Sequence, residues 1–256
     1  MVETYSTTEK IGKLKELFRS LKDEGDHKKA LYLRKEFKEF LGQCDALTIA
    51  RAEQELAKEG FTLQDFRSGC DVHLEMMRES LGQQGTAIPA GHPLTRFQQE
   101  HEAIICWINE LLEAVRDAQT YSVFGDAKDA LKRVEVLTSK LGETENHNIR
   151  QENALFPLLE RHGISEPPRV MWGEHREMKE MKTKLHQAFE TIDASNYLEV
   201  LSKMEETALL LEEYFASHTK KEQTILYPIA MRMFSPDEWK EFSDACEELG
   251  YFSLEA

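Results

Sequence analysis

Apolar residues recur along this chain at helical spacing, and the strict alternation of a half-buried strand is nearly absent. Ile11, Leu14, Leu17, Phe18 and Leu21 form a first stripe, closed by the polar stretch DEGDH. Leu31, Leu33, Phe37 and Phe40 form a second. A third pattern runs from about Ala46 to Lys58 and stops at Gly60. A fourth opens at Thr62, where TLQD has the form of a capping box, and continues to about Leu81.

The stretch GQQGTAIPAGHP, from Gly82 to Pro93, gathers Gly and Pro between helical segments and predicts a boundary. The expected domains are therefore a helical one over 1–85 and a second over 86–256. Four long helical patterns follow, at about 93–118, 125–162, 168–191 and 196–233. Their connections are short, which favours antiparallel neighbours. The expected fold class is thus all-α, an up-down four-helix bundle preceded by a small helical domain. A last helix starts at SPDEW, with Ser235 as N-cap and Pro236 in the first turn, and ends at Gly250.

Charge narrows the functional classes. With 32 Lys and Arg against 47 Asp and Glu, the formal charge is −15. Nucleic-acid binding is excluded, because phosphate contacts need clustered cations. Cation binding is not, since carboxylates are natural ligands for divalent metals. Cys44, Cys70, Cys106 and Cys246 contain no CxxC pair, and their wide spacing in helical sequence predicts reduced thiols. The first residues lack the basic and apolar regions of a signal peptide, and no run of about 18 apolar residues occurs. A cytoplasmic protein without a membrane span is the expectation.

The chemistry lies in an internal duplication. QEHEAI holds Glu100 and His101, and GEHREM holds Glu174 and His175. The second element is HNIRQENALFP, from His147, and again HTKKEQTILYP, from His218. His101 precedes His147 by 46 residues, and His175 precedes His218 by 43. Two hairpins packed about a pseudo-twofold axis would bring these four histidines to one level, one metal ion per half. Glu152 and Glu222, five and four residues after their histidines, supply carboxylates within reach of the gap between the ions. Imidazole with carboxylate suits iron better than calcium or magnesium.

Levels along the bundle agree with this grouping. With the first hairpin turning at Ser122 to Asp126, the level of His147 falls at about residues 95 to 101 of the first helix, where Glu100 and His101 stand. His92 is ~13.5 Å further along a straight helix. It and Glu100 are secondary candidates.

The arrangement resembles the hemerythrin family, or HHE cation-binding domains. EHEAI is similar to that family's first-helix motif, with His101 as ligand. His147 with Glu152 has its His-x4-acid spacing, His175 resembles the third-helix ligand, and His218 with Glu222 has its His-x3-Glu spacing. The two spacings are exchanged relative to hemerythrin, and Lys179 stands where a second third-helix His would be. Residues 1–85, through EQELAKEGFTLQDFRSGCDVH, resemble a small helical domain of unknown function that precedes HHE domains in some bacterial and archaeal proteins. The resemblance implies two iron ions with oxo or hydroxo and carboxylate bridges, and one iron with an open or differently filled position. It implies binding or sensing of O2 or NO, or else a diiron oxidoreductase: a peroxidase, oxidase or NO reductase. Whether the chain is an enzyme stays open.

Other residues carry blander readings. His162 lies at a helix end beside Gly163, and His186 is ~16 Å along the helix from His175. Cys70 and His73 could touch a metal, but a half-buried helix face is the stronger reading. Among Tyr121, Tyr214 and Tyr227, Tyr214 is placed best to line a metal pocket, one turn before His218. Ferritin-like storage would use Glu-x-x-His pairs, and Glu24 with His27, outside the bundle, is the one example.

Overall fold

The computed structural model describes residues 5–23, 27–62 and 88–254. Among these residues the structure is helical without strands: α1 (Thr7–Asp23), α2 (His27–Leu41), α3 (Ala46–Lys58), α4 (Thr95–Gln119), α5 (Lys128–Glu143), α6 (Glu145–Arg150), α7 (Phe156–Arg161), α8 (Glu166–Glu190), α9 (Tyr197–Lys221), α10 (Tyr227–Met233) and α11 (Pro236–Leu249). The fold is all-α, a hemerythrin-like four-helix bundle with a small helical domain before it in sequence. The helix expected from Thr62 to Leu81, with Cys70 and His73, lies outside the described residues.

The described chain forms two compact units: Met1–Ala87 with Phe156–Met171 and Lys220–Ser235, and Ile88–Leu155 with Trp172–Thr219 and Pro236–Ala256. In the first, the apolar stripes of α1 to α3 meet. Leu14, Leu17 and Phe18 are buried with Phe37, Phe40, Ile49 and Leu56, and Phe18 meets Phe37 edge to face at 4.7 Å. Each such aliphatic side chain stabilises the fold by about 1.5–3 kcal/mol on leaving water. Asp45 caps α3 by accepting from the Thr48 N–H at 2.8 Å.

In the second unit one stripe from each long helix fills the core. Ile104, Ile108, Leu111 and Val115 of α4 share it with Leu131, Val134 and Leu141 of α5. Met178, Met181 and Leu185 of α8 and Leu201, Met204, Ala208 and Phe215 of α9 complete it. The spacing of three and four residues is what a helix needs to turn one face to a core. A 3-10 turn at Phe124–Ala127 closes the first hairpin where the sequence predicts it. Helix α11 packs on α6, where Asn146 Nδ2 donates to the Leu249 carbonyl at 3.0 Å, and on α4, where Phe242 stacks on Phe97.

Proline dictates the local form of the duplicated elements. Pro157 and Pro228 cannot donate a backbone hydrogen bond, and their rings clash with the carbonyls four residues earlier. The chain answers with a π-helical turn just before each aromatic-Pro pair, Gln151–Leu155 and Glu222–Leu226. At the second, the Tyr227 N–H reaches back five residues to the Glu222 carbonyl. Each π turn thus falls on the residues that follow a histidine by one turn.

Candidate metal centre

Four helical segments supply four histidines, and all four are buried: His101 from α4, His147 from α6, His175 from α8 and His218 from α9. They pair by halves. The rings of His101 and His147 have centroids 4.9 Å apart, and those of His175 and His218 are also 4.9 Å apart. The Nε2 atoms of His101 and His147 stand 3.3 Å from each other.

Carboxylates fix the ring tautomers. His147 Nδ1 lies 2.8 Å from Glu100 Oε2, His218 Nδ1 lies 2.8 Å from Glu174 Oε2, and His175 Nδ1 lies 2.8 Å from Glu152 Oε1. A carboxylate accepts, so each Nδ1 carries the proton and each Nε2 keeps its lone pair for a cation. Glu100, a secondary candidate from the sequence, and Glu174 are both buried, their side chains 0% and 3% exposed.

Glu222 is fully buried in the second π turn, and its Oε2 accepts from the Tyr227 hydroxyl at 2.8 Å. Ligand atoms of His101, His147 and Glu222 lie within 4.8 Å of one another, and so do those of His175, His218 and Glu222. This donor set, four imidazoles around a carboxylate with three of them oriented by glutamates, fits a divalent transition metal.

Glu152 stands elsewhere than Glu222 does. It holds His175 from the Nδ1 side and is 25% exposed. The place one turn after His147 belongs to Gln151, fully buried, with its amide nitrogen 2.9 Å from His147 Nε2. Counting back from the aromatic-Pro endings aligns Gln151, not Glu152, with Glu222. That alignment was available in the sequence, but a search for carboxylates passes over an amide.

Arg150 is the largest fully buried side chain among the described residues, and sequence reasoning did not single it out. Its Nη2 donates to both Glu100 oxygens at 2.6 Å, its Nε to Asn146, and its guanidinium lies over the Phe97 and Tyr251 rings at 5.0 and 4.4 Å. Burial pushes the Glu100 carboxyl up, but His147 and Arg150 outweigh it and hold it below its ordinary value.

The remaining candidates have other work. His92 Nδ1 accepts from the Leu94 N–H at 3.2 Å, and its ring meets Trp239 edge to face. Burial lowers its pKa. His162 stacks on Phe234 at 5.7 Å, and His186 is an exposed partner of Glu190. Tyr214 donates to Glu177, and Tyr121 is exposed, so Tyr227 is the phenol at the carboxylate. Cys44, Cys106 and Cys246 are free thiols.

Comparison with known proteins agrees with this geometry. Residues 92–230 match the hemerythrin HHE cation binding domain, and residues 14–83 match a family of unknown function, DUF438. The chain belongs to the hemerythrin HHE cation-binding domain family. No curated protein matches it.

Proposed function

We propose that this chain carries a non-haem diiron centre that binds or senses a small diatomic ligand, O2 or NO, in the cytoplasm. His101 and His147 hold one iron, His175 and His218 the other, and Glu222 is shared between them. Residues 1–85 are a separate helical domain ahead of the bundle domain over 86–256. The single observation that carries the reading is the pair of equivalent histidine couples, each grouped with the same buried carboxylate.

The bound iron pair would supply redox-active coordination positions for the gas. The protein's own residues do the rest. Glu100, Glu152 and Glu174 orient imidazoles and raise their basicity as ligands. Tyr227 steers the Glu222 carboxylate by holding one of its oxygens. Apolar walls, with Phe215 edge-on to His101 at 6.0 Å and Phe97 against His147 at 5.0 Å, keep water away.

Among the described residues Glu222 is the carboxylate grouped with the histidine couples, while Glu100, Glu152 and Glu174 are engaged with Nδ1 atoms; such a His-rich set favours ligand binding over strongly oxidising chemistry. Protein loaded anaerobically with ferrous iron is expected to change its visible spectrum on exposure to O2 or NO; an unchanged spectrum with both gases refutes the proposal. The oxidoreductase reading draws on Gln151, whose neutral side chain leaves room for an exchangeable ligand. Turnover of peroxide or NO above the rate of free iron would favour it.

A further inference from the structure

The two halves repeat one another closely, and one of the buried positions at which they differ stands one turn after the second histidine. Each has a His couple, an Nδ1-bound glutamate on the second His, a π turn and an aromatic-Pro ending. One turn after the second His stands Glu222 in one half and Gln151 in the other. Both are fully buried. Only one of these two places therefore offers an anion. The other presents an amide, 2.9 Å from the nitrogen with which His147 would bind metal. The carboxylate next in sequence does not make up the difference, because Glu152 is engaged with His175 Nδ1.

We propose that Gln151 makes the two metal positions unequal: the His101–His147 position binds its ion more weakly than the His175–His218 position. This rests on the dinuclear reading above. Glu222 then serves as the lone carboxylate of the pair, and metals load in order, the His175–His218 position first. Glu222 is grouped with both couples and favours neither; the Gln151 amide instead holds the lone pair of His147 Nε2 at 2.9 Å, and giving up that hydrogen bond to bind metal should separate the two affinities by up to about tenfold.

The test is a titration of the full metal-free chain with Co(II), a redox-inert probe whose visible bands report coordination, together with metal analysis after gel filtration. The expected result is two resolved steps. His147→Ala should remove the weaker step and His175→Ala the tighter. Gln151→Glu should strengthen the weaker step by about tenfold or more, leave the tighter step in place and alter the bands of the second ion. Gln151→Ala, which frees the His147 Nε2 lone pair, should narrow the gap between the two steps, and a thermal melt of each variant confirms that it folds. Two equal steps in the wild type, or a Gln151→Glu protein with the gap unchanged, overturns the inference while the dinuclear reading survives. No metal uptake at all overturns both, and is a distinct result.

Discussion

Arg150→Met is the substitution whose cost the geometry fixes best. The side chain is fully buried, so the variant removes a cation from an interior in which its anion, Glu100, is also 0% exposed. Breaking a buried pair from one side costs about 3–5 kcal/mol, because the remaining charge is left without compensation. Two contacts temper the loss. Arg96 Nε stays 2.9 Å from Glu100 Oε1, and His147 Nδ1 stays 2.8 Å from Oε2. The lower end, about 3 kcal/mol, is therefore appropriate. Loss of the guanidinium from the face of Tyr251 adds ~0.5–2 kcal/mol. For a chain of this size each kcal/mol moves Tm by ~2–4 °C. Metal-free Arg150→Met should thus melt on the order of 10 °C below the wild type.

The pH dependence supplies a sign. The folded-state pKa of Glu100 is lowered, so its contribution is present above the unfolded value of 4.5 and is lost as pH falls through the folded value. Arg150→Met forfeits part of that contribution, and its deficit in urea midpoint should shrink as the buffer is taken below pH 4.5. Adding Glu100→Gln to Arg150→Met should cost less than the two single changes together. A deficit under about 1 kcal/mol, a deficit constant down to acid pH, or strict additivity in the double variant would refute the reasoning.

Three further outcomes follow from other parts of the structure. Glu174→Gln and Tyr227→Phe remove groups that orient His218 and Glu222, and each should weaken metal affinity by about 10- to 100-fold with little change in metal-free stability; unchanged affinity in both would show that these contacts do not orient ligands. Lys182 is buried, donates to Thr144 Oγ1 at 2.9 Å and pairs with Glu145, while burial lowers its pKa from 10.5. The unfolded chain therefore holds this proton more tightly, and the wild type should gain stability relative to Lys182→Met as pH rises towards 10.5, read from urea midpoints. Burial pushes the Cys246 thiol up to about 11, whereas Cys106 is exposed. Alkylation at pH 8 with peptide mapping should label Cys106 in the native protein and Cys246 only after unfolding; early labelling of Cys246 would contradict its burial.

The helices were legible in the sequence because their apolar spacing is long and regular. The third, expected over Ala46 to Lys58, has those bounds, and the hairpin turn at Phe124–Ala127 overlaps the expected Ser122 to Asp126. His101, His147, His175 and His218 were legible because duplication lifts four residues out of noise. Three things were not. The π turns depend on how the backbone accommodates Pro157 and Pro228, which spacing rules for an ideal helix do not contain. Gln151 was overlooked because an amide is not a preferred metal ligand, and its meaning comes only from being opposite Glu222 in the repeat. Arg150 looked like an ordinary helix charge; only packing reveals that Glu100, Phe97 and Tyr251 enclose it. Helix periodicity reports which face is buried, and it is silent about which polar groups are buried together.

The central claim is a pair of coupled metal ions between the two histidine couples. Mössbauer spectroscopy of the full chain, reconstituted anaerobically with iron-57 and then oxidised, tests it most directly, with iron counted on the same sample. Two irons per chain are expected, with a spectrum of antiferromagnetically coupled ferric ions and two unequal quadrupole doublets, because Gln151 stands in one half of the repeat where Glu222 stands in the other. One iron or none per chain, or two irons that behave as magnetically isolated ions, would contradict it.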